Sequence, residues 1–169
     1  VAMIESFNRV CGSLVGGVAT IELIEARQLA LPTFDSSKTR CSQPQTVGND
    51  HFVRVNFIPG SGSYIQTATV SNGMTEVYHA LRFELPARED TASFIDSLNE
   101  ATRLGGLVAR VKLNTGLELL IGVSPLLGYE QALRMGSSRH SVEAERDERP
   151  VSYIMLECYT ESLAPVLIN

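Results

Sequence analysis

Alternating apolar and polar residues recur along much of the chain, a pattern that indicates β-strands. After a Gly-Gly pair, the segment VATIELIEA carries β-branched residues and predicts a first strand over about 18–26. A short helix over 22–30 is the competing prediction for this stretch. The segment HFVRVNFIPG alternates in the same way, and Pro59-Gly60 ends it, which predicts a further strand.

The strongest local signal is Asn72-Gly73, which separates YIQTATVS from MTEVYHALRFELP. Both central residues of a type I′ turn need positive φ, so this pair predicts a β-hairpin. The second arm would extend some 35 Å at about 3.3 Å per residue, against about 17 to 20 Å for an ordinary strand, and we expect it to project beyond a single sandwich. Its alternation places Thr75, Val77, His79, Leu81, Phe83 and Leu85 on one face, and Glu76, Tyr78, Ala80, Arg82 and Glu84 on the other.

One amphipathic helix is predicted at about 91–104, within REDTASFIDSLNEATRLGG. Asp90 or Thr91 can cap its free amides, and Gly105-Gly106 supplies a left-handed exit. Its apolar stripe indicates that it lies on a sheet, and consists of Phe94, Ile95, Leu98, Ala101 and Thr102.

A second hairpin follows the helix, because Asn114-Thr115-Gly116 separates LVARVKL from LELLIGVS. A closing strand is expected from about 151 to 160. The whole pattern predicts one domain over 1–169 with an α+β, β-rich fold: an antiparallel β-sandwich or barrel of about eight strands with a single helix.

Three segments fall outside this pattern, and we interpret them as extensions for assembly. Residues 32–50 are rich in Ser, Thr, Gln, Pro and Gly, hold too few apolar side chains for a core position, and predict a long loop. The tail 161–169 is mostly apolar and needs something to dock on. The segment 1–17 lacks a basic region followed by a sustained apolar stretch, which makes it a poor signal peptide.

Composition narrows the classes of function. The chain has 169 residues, and 44% hydrophobic with 20% charged residues is typical of a soluble globular protein. A net charge of −5 argues against an open surface that binds duplex phosphates. The cysteines Cys11, Cys41 and Cys158 are widely spaced and are interpreted as reduced thiols in a cytoplasmic setting.

The sequence offers little chemistry. His51, His79 and His140 stand in separate elements without metal-ligand spacing, and GSGS at 60–63 is not a nucleophile elbow. No phosphate-binding glycine loop opens a helix, and the five tyrosines are interpreted as scattered. We therefore expect no catalytic residues, no metal and no cofactor.

The hairpin instead indicates contacts with other chains. Proteins blunt exposed edge strands with Lys or Pro, and neither occurs between Ser63 and Leu85. The alternative is that these strands are central in their sheet and covered on both faces.

The order of elements resembles that of the tube-forming proteins of long-tailed bacteriophages and of the related type VI secretion tube. The resemblance covers roughly residues 18–160. The segment NFIPGSGSYIQTATVSNGMTEVYHALRFELP, the helix, and then GGLVARVKLNTGLELLIGVSPLLGYEQALRM also resemble small structural proteins of Bacteroidetes prophages.

This resemblance implies a tail tube subunit of the virion, assembled in the cytoplasm of the bacterial host. Six copies would close into a ring, and stacked rings would form a channel through which DNA passes without specific binding. The second strand of the hairpin, at 75–85, would line the channel, where Glu76 and Glu84 fit an acidic lining and Arg82 does not. The loop 33–50 would touch the next ring, and the tail and the N-terminal segment would clamp neighbours. Other tail proteins are the further partners, and no membrane is implied.

The implied assembly residues come from the arm, the loop and the tail: Tyr64, Gln66, Thr75, Glu76, Val77, Tyr78, His79, Arg82, Glu84, Phe34, Val166, Leu167 and Ile168. Two alternatives stay open. The chain could be a tail terminator, head-tail joining protein or baseplate adaptor, which forms single rings, or it could be a β-sandwich that binds a small ligand in an apolar interior.

Overall fold

Two β-sheets and one helix make up the fold, in a computed structural model that describes residues 17–87, 89–141 and 150–168. The expected α+β, β-rich class is confirmed, with ten strands in the described part of the chain where about eight were expected. The first sheet has the order β2-β10-β7-β6-β1-β3, and the second has the order β4-β5-β9-β8. The strands are β1 Val18–Glu25, β2 Arg40–Ser42, β3 Val53–Arg54, β4 Ser63–Ser71, β5 Met74–Pro86, β6 Leu107–Leu113, β7 Glu118–Ile121, β8 Arg134–Ser141, β9 Val151–Thr160 and β10 Val166–Ile168.

The local turn signals are confirmed. Asn72 and Gly73 have φ values of 51° and 76°, as a type I′ turn requires, and they join β4 to β5. The Leu113 N–H donates to the Leu117 carbonyl across the second hairpin, whose Gly116 has φ 92°. The closing strand β9 has the expected bounds.

The segment 18–30 forms a strand in preference to the competing helix. Strand β1 ends at Glu25, and only a single 3₁₀ turn, Ala26–Gln28, follows. The register of β1 against β6 runs from Val18 to Glu25, which fixes Ile21 and Leu23 in the core. Pairing with a neighbouring strand therefore outweighs the helical propensity of this stretch.

The strand expected within HFVRVNFIPG is reduced to Val53–Arg54. The Val55 N–H still donates to the Ile21 carbonyl of β1, and Val55 is buried. Beyond Val55 the chain crosses to the second sheet, where the Ile58 N–H donates to the Glu84 carbonyl at 2.8 Å.

The helix α1, Glu89–Arg103, packs beside β8 and β6 and closes one side of the sandwich. Ile95, Leu98 and Ala101 from its predicted stripe are buried in the main core. The Thr91 hydroxyl donates to the Pro86 carbonyl, so Thr91 ties the helix to the end of β5. No helix in the described ranges is long and apolar enough to cross a membrane.

The main core lies between the sheets, and a second, smaller core lies under the loop segment. The second core joins Ile24, Val108 and Leu120 of the first sheet to residues from 26–52 and to Leu167. The sequence prediction that 32–50 holds no core position is therefore wrong. Cys41 is fully buried in this cluster, and the Phe34 ring packs against it.

The tail is built into the first sheet of its own chain. Strand β10 pairs in parallel with β2, from Val166↔Arg40 to Ile168↔Ser42, and pairs antiparallel with β7 at Leu119. Leu167 is buried between them. The apolar tail thus docks within the subunit, because its backbone groups satisfy the ladders of β2 and β7.

Candidate assembly interface on the second sheet

The hairpin β4–β5 projects beyond the second sheet. Strand β5 pairs with β4 from Arg82 to Met74, but it pairs with β9 only from Pro86 to Val77. The part of the hairpin beyond this pairing, residues 69–76, is therefore a two-stranded ribbon. Together with the edge residues 65–68 that lead into it, this ribbon is referred to below as the arm, residues 65–76. This confirms the expectation that β5 extends past the sandwich.

The arm exposes apolar side chains that the sandwich leaves uncovered. Seven of the nine residues of β4 are exposed, as are the first three of β5. Val70 is 71% exposed, Met74 75% and Ile65 47%. An isolated two-stranded ribbon is only marginally stable in water, so such side chains gain from a covering partner.

Strand β4 is the outer strand of the second sheet, and no other strand in the described part of the chain pairs with its outward backbone groups. In an antiparallel ladder, opposed residues alternate between pairs that exchange hydrogen bonds and pairs that do not. Because Ser71 and Met74 flank the two-residue turn as a bonded pair, the N–H groups of Gln66, Ala68 and Val70 point away from β5. These groups form the free edge.

The opposite edge of the same sheet is β8, and the helix covers its beginning. The Met135 N–H donates to the Thr102 hydroxyl at 3.1 Å, and an Arg134 guanidinium N–H donates to the Thr102 carbonyl at 2.9 Å. A register shift between Met135 and Ser137 follows. The part of β8 from 137 to 141 therefore lies beyond the helix contact.

Aromatic residues meet on the outer face of the second sheet, which faces away from the main core. Tyr78 and Tyr159 are directly opposite, with ring centroids 5.0 Å apart, and the Tyr78 hydroxyl donates to Glu157 Oε2 at 2.7 Å. This hydrogen bond raises the pKa of Tyr78 above its ordinary value. Tyr153 lies on the same face, opposite Glu84.

The interpretation of the tyrosines as scattered is therefore wrong for Tyr78 and Tyr159. Their positions alternate with buried residues along β5 and β9, which could have placed each one on an outer face. Only the pairing of the two strands brings them together.

A polar network joins the base of the arm to the turn that follows β9. The His79 ring is 2% exposed, its Nδ1 lies 2.6 Å from the Tyr64 hydroxyl, and its Nε2 lies 2.6 Å from the Thr160 hydroxyl. Thr160 donates to the Ser162 carbonyl at 2.6 Å. Gln66 Oε1 accepts from the Ala164 N–H and lies 3.2 Å from the Tyr64 hydroxyl.

The predicted assembly residues divide into four groups. On the exposed arm and the outer face lie Thr75, Glu76, Tyr78, Arg82 and Glu84, while Tyr64 and Gln66 belong to the polar network. Val77, His79 and Leu167 are buried, so their side chains serve the interior of the subunit instead of a contact surface. Phe34 and Val166 are half-buried, and Ile168 is 43% exposed.

The described residues hold no group of three or more His, Cys, Asp or Glu side chains placed to bind a metal ion. Burial raises the pKa of Cys41 to about 11 and that of Cys158 to about 12, which keeps both thiols protonated at neutral pH. Surface hollows of about 330 to 500 Å³ lie along the segment 53–60 and beside the second sheet, and they are open to solvent.

Comparison of the chain with models of protein families, with curated proteins and with solved structures found no match.

Proposed function

We propose that this chain is a structural subunit that assembles with copies of itself through the second sheet, as a tail tube protein of a bacteriophage does. The arm is the observation that carries the proposal. It combines a free strand edge, exposed Val70 and Met74, and an absence of Lys or Pro from β4. An edge of this kind is a template for another strand.

A second copy is the partner that fits this edge. The second sheet is antiparallel throughout, so β4 and β8 run in opposite directions at its two sides. Rotation about an axis along the strands keeps the direction of each strand. It therefore places β4 of one copy antiparallel to β8 of the next, and repeated pairing closes a ring without a free edge.

The ring size that the resemblance implies gives a channel of useful width. Six copies with four strands each, spaced by about 4.8 Å, have a circumference of about 115 Å and therefore about 37 Å between opposite backbones. Strand tilt widens such a barrel further. Side chains occupy part of this width, and the remainder suits the passage of duplex DNA.

The outer face of the second sheet would line this channel. Its described charged side chains are Glu76, Glu84 and Glu157 against Arg82 and Arg134. Over these described side chains the lining is close to neutral: Glu76 and Glu84 fit the acidic lining that the resemblance implies, and Arg82 does not. It supplies few cations to displace the counterions of DNA, so it supports passage without tight binding.

The test is to block the free edge without changing the hairpin. Ala68→Pro removes one outward N–H from β4, and proline is tolerated where that group faces solvent. Ala68→Thr changes the same side chain and keeps the N–H, which makes it the matched control.

Sedimentation velocity and negative-stain microscopy give the readout. We expect rings or tubes for the parent chain and for Ala68→Thr, and small species for Ala68→Pro. A parent chain that stays monomeric at high concentration and at low and high salt contradicts the proposal.

The length of the particles separates the tube subunit from the alternative adaptor proteins. A tube subunit gives particles that lengthen with concentration, whereas a terminator, joining protein or baseplate adaptor gives single rings. A monomer with a bound small molecule would instead favour the ligand-binding sandwich.

A further inference from the structure

The hydrogen bonds around His79 fix the position of each proton in the neutral ring. The Thr160 hydroxyl uses its one proton to reach the Ser162 carbonyl, so towards His79 it can only accept. His79 Nε2 therefore carries the ring proton. The Tyr64 hydroxyl has two acceptors within reach, Nδ1 at 2.6 Å and Gln66 Oε1 at 3.2 Å, and in the neutral ring its one proton goes to the nearer Nδ1.

The network links three parts of the fold that are distant in sequence. Tyr64 and Gln66 belong to β4, His79 belongs to β5, and Ser162 and Ala164 belong to the turn that leads into β10. These hydrogen bonds connect different elements. Through them the His79 ring joins the base of the arm to the turn that leads into β10.

A second proton on His79 would reverse one bond in this network. A protonated Nδ1 must donate, so the Tyr64 oxygen would have to accept, and its own proton would turn to Gln66 Oε1 at 3.2 Å. The hydrogen bonds can thus adapt, but the positive charge stays buried. A buried charge without a partner is strongly disfavoured.

No charged group among the described contacts compensates that charge. The titratable side chains that face His79 are Tyr64 from β4 and Cys158, which lies opposite it on β9. Burial raises the pKa of both groups, so both are neutral. The carboxylate in the turn, Glu161, is bound to Ser124 and to the Leu126 N–H instead.

We propose that the His79 ring is a proton-sensitive latch, which holds the 161–164 turn and β10 against the base of the arm when it is neutral and releases them when it is protonated. The latch belongs to a single copy of the chain. It does not rest on the assembly proposed above.

The direction of the pH dependence follows from burial. Desolvation lowers the pKa of His79 below its ordinary 6.5, and the Ser162 carbonyl opposes this only in part. We call the 161–164 turn seated when it is held against the base of the arm, and released when it is detached. Above pH 6.5 the ring is neutral in both states. Below pH 6.5 the released form takes up a proton more readily, so the seated form loses stability as pH falls.

Hydrogen exchange with mass spectrometry, corrected for intrinsic rates, tests the latch on the full chain. At pH 5.5 the protonated form of a released histidine outnumbers the neutral form by about ten to one. The protection of amides within 161–168 against exchange should therefore fall by up to about tenfold relative to pH 7.5. Amides of β6 should keep their protection. Exchange at the two pH values is measured on species of the same size, so that a change in assembly does not affect the comparison.

Variants separate the latch from general acid instability. His79→Gln should abolish the pH dependence of protection in 161–168, whereas His51→Gln, which removes an exposed histidine, should leave it unchanged. Thr160→Val should weaken protection already at pH 7.5, because it removes both the acceptor for Nε2 and the donor to Ser162.

Four outcomes would overturn the latch. These are equal protection of 161–168 at both pH values in the parent chain, an equal fall in β6, retention of the pH dependence in His79→Gln, or its loss in His51→Gln. The parent chain alone decides the first two, so the test stands even where a variant fails to fold.

Discussion

Polar replacement of the two most exposed apolar side chains of the arm should weaken assembly without weakening the subunit. Val70→Thr keeps a β-branched side chain in the strand, and Met74→Gln keeps a side chain of similar length and shape. In the single subunit both positions are largely in water, at 71% and 75% exposure. The double variant should therefore keep the unfolding midpoint of the parent chain.

The effect on assembly follows from the area that these side chains still have to bury. Full burial of an apolar side chain stabilises by about 1.5 to 3 kcal/mol, so covering the exposed parts of both contributes about 2 to 4 kcal/mol for each subunit. Every 1.4 kcal/mol is about tenfold in concentration, so the midpoint of assembly should rise by about 30- to 700-fold.

A concentration series followed by light scattering after size-exclusion chromatography measures this midpoint. Leu126→Asn is the matched control, because Leu126 is 76% exposed but lies in the 124–128 turn, away from the arm. The reasoning is refuted if the double variant assembles at the parent concentration, or if the control weakens assembly equally.

Two further predictions concern the stability of the subunit, each measured by urea unfolding. Gly106→Ala should lower the free energy of unfolding by well over 1 kcal/mol, because φ is 96° and a Cβ would lie 2.8 Å from the Ala132 Cβ. Gly105→Ala is the control, since it adds only the strain of φ 128° in open space. Equal losses of stability in the two variants would contradict this prediction. Arg110→Met should cost about 1 to 3 kcal/mol, because it removes the bond to Glu22 at 2.6 Å and the guanidinium stacked 4.2 Å from the Phe52 ring centroid. Arg27→Met breaks a pair whose arginine is more exposed, and it should change the free energy of unfolding by at most about 0.5 kcal/mol. A larger loss there would show that the burial of Arg110 does not explain the difference between the two variants.

Features set by neighbouring residues were predictable from the sequence. The turn at Asn72-Gly73 needs only two residues that accept positive φ, and the helix at 89–103 needs only its stripe and its glycine exit. The bounds of β9 follow from its own alternation, since its buried positions are every second residue. In each case the residues that determine the element lie within about a dozen positions of one another.

Features set by distant pairing were not predictable. The sequence of residues 32–50 is typical of a free loop, because its apolar residues Phe34 and Cys41 are few and follow no periodic pattern. The segment nevertheless packs on the sheet, because β2 within it pairs in parallel with β10. The candidate interface shows the same division. The composition of 63–85 indicated edge strands, which holds for β4 but is wrong for β5, an inner strand between β4 and β9. The meeting of Tyr78 with Tyr159 depends on a register that one strand alone does not reveal.

The insertion of β10 between β2 and β7 has a consequence for synthesis on the ribosome. Arg40–Ser42 emerge early but join their sheet through Val166–Ile168, which are made near the end of the sequence. Until then, the nascent chain leaves the outer side of the first sheet without its cover. A stalled or shortened product would expose Val108 and Leu120 there and become a target for chaperones, even though its hairpins were already formed.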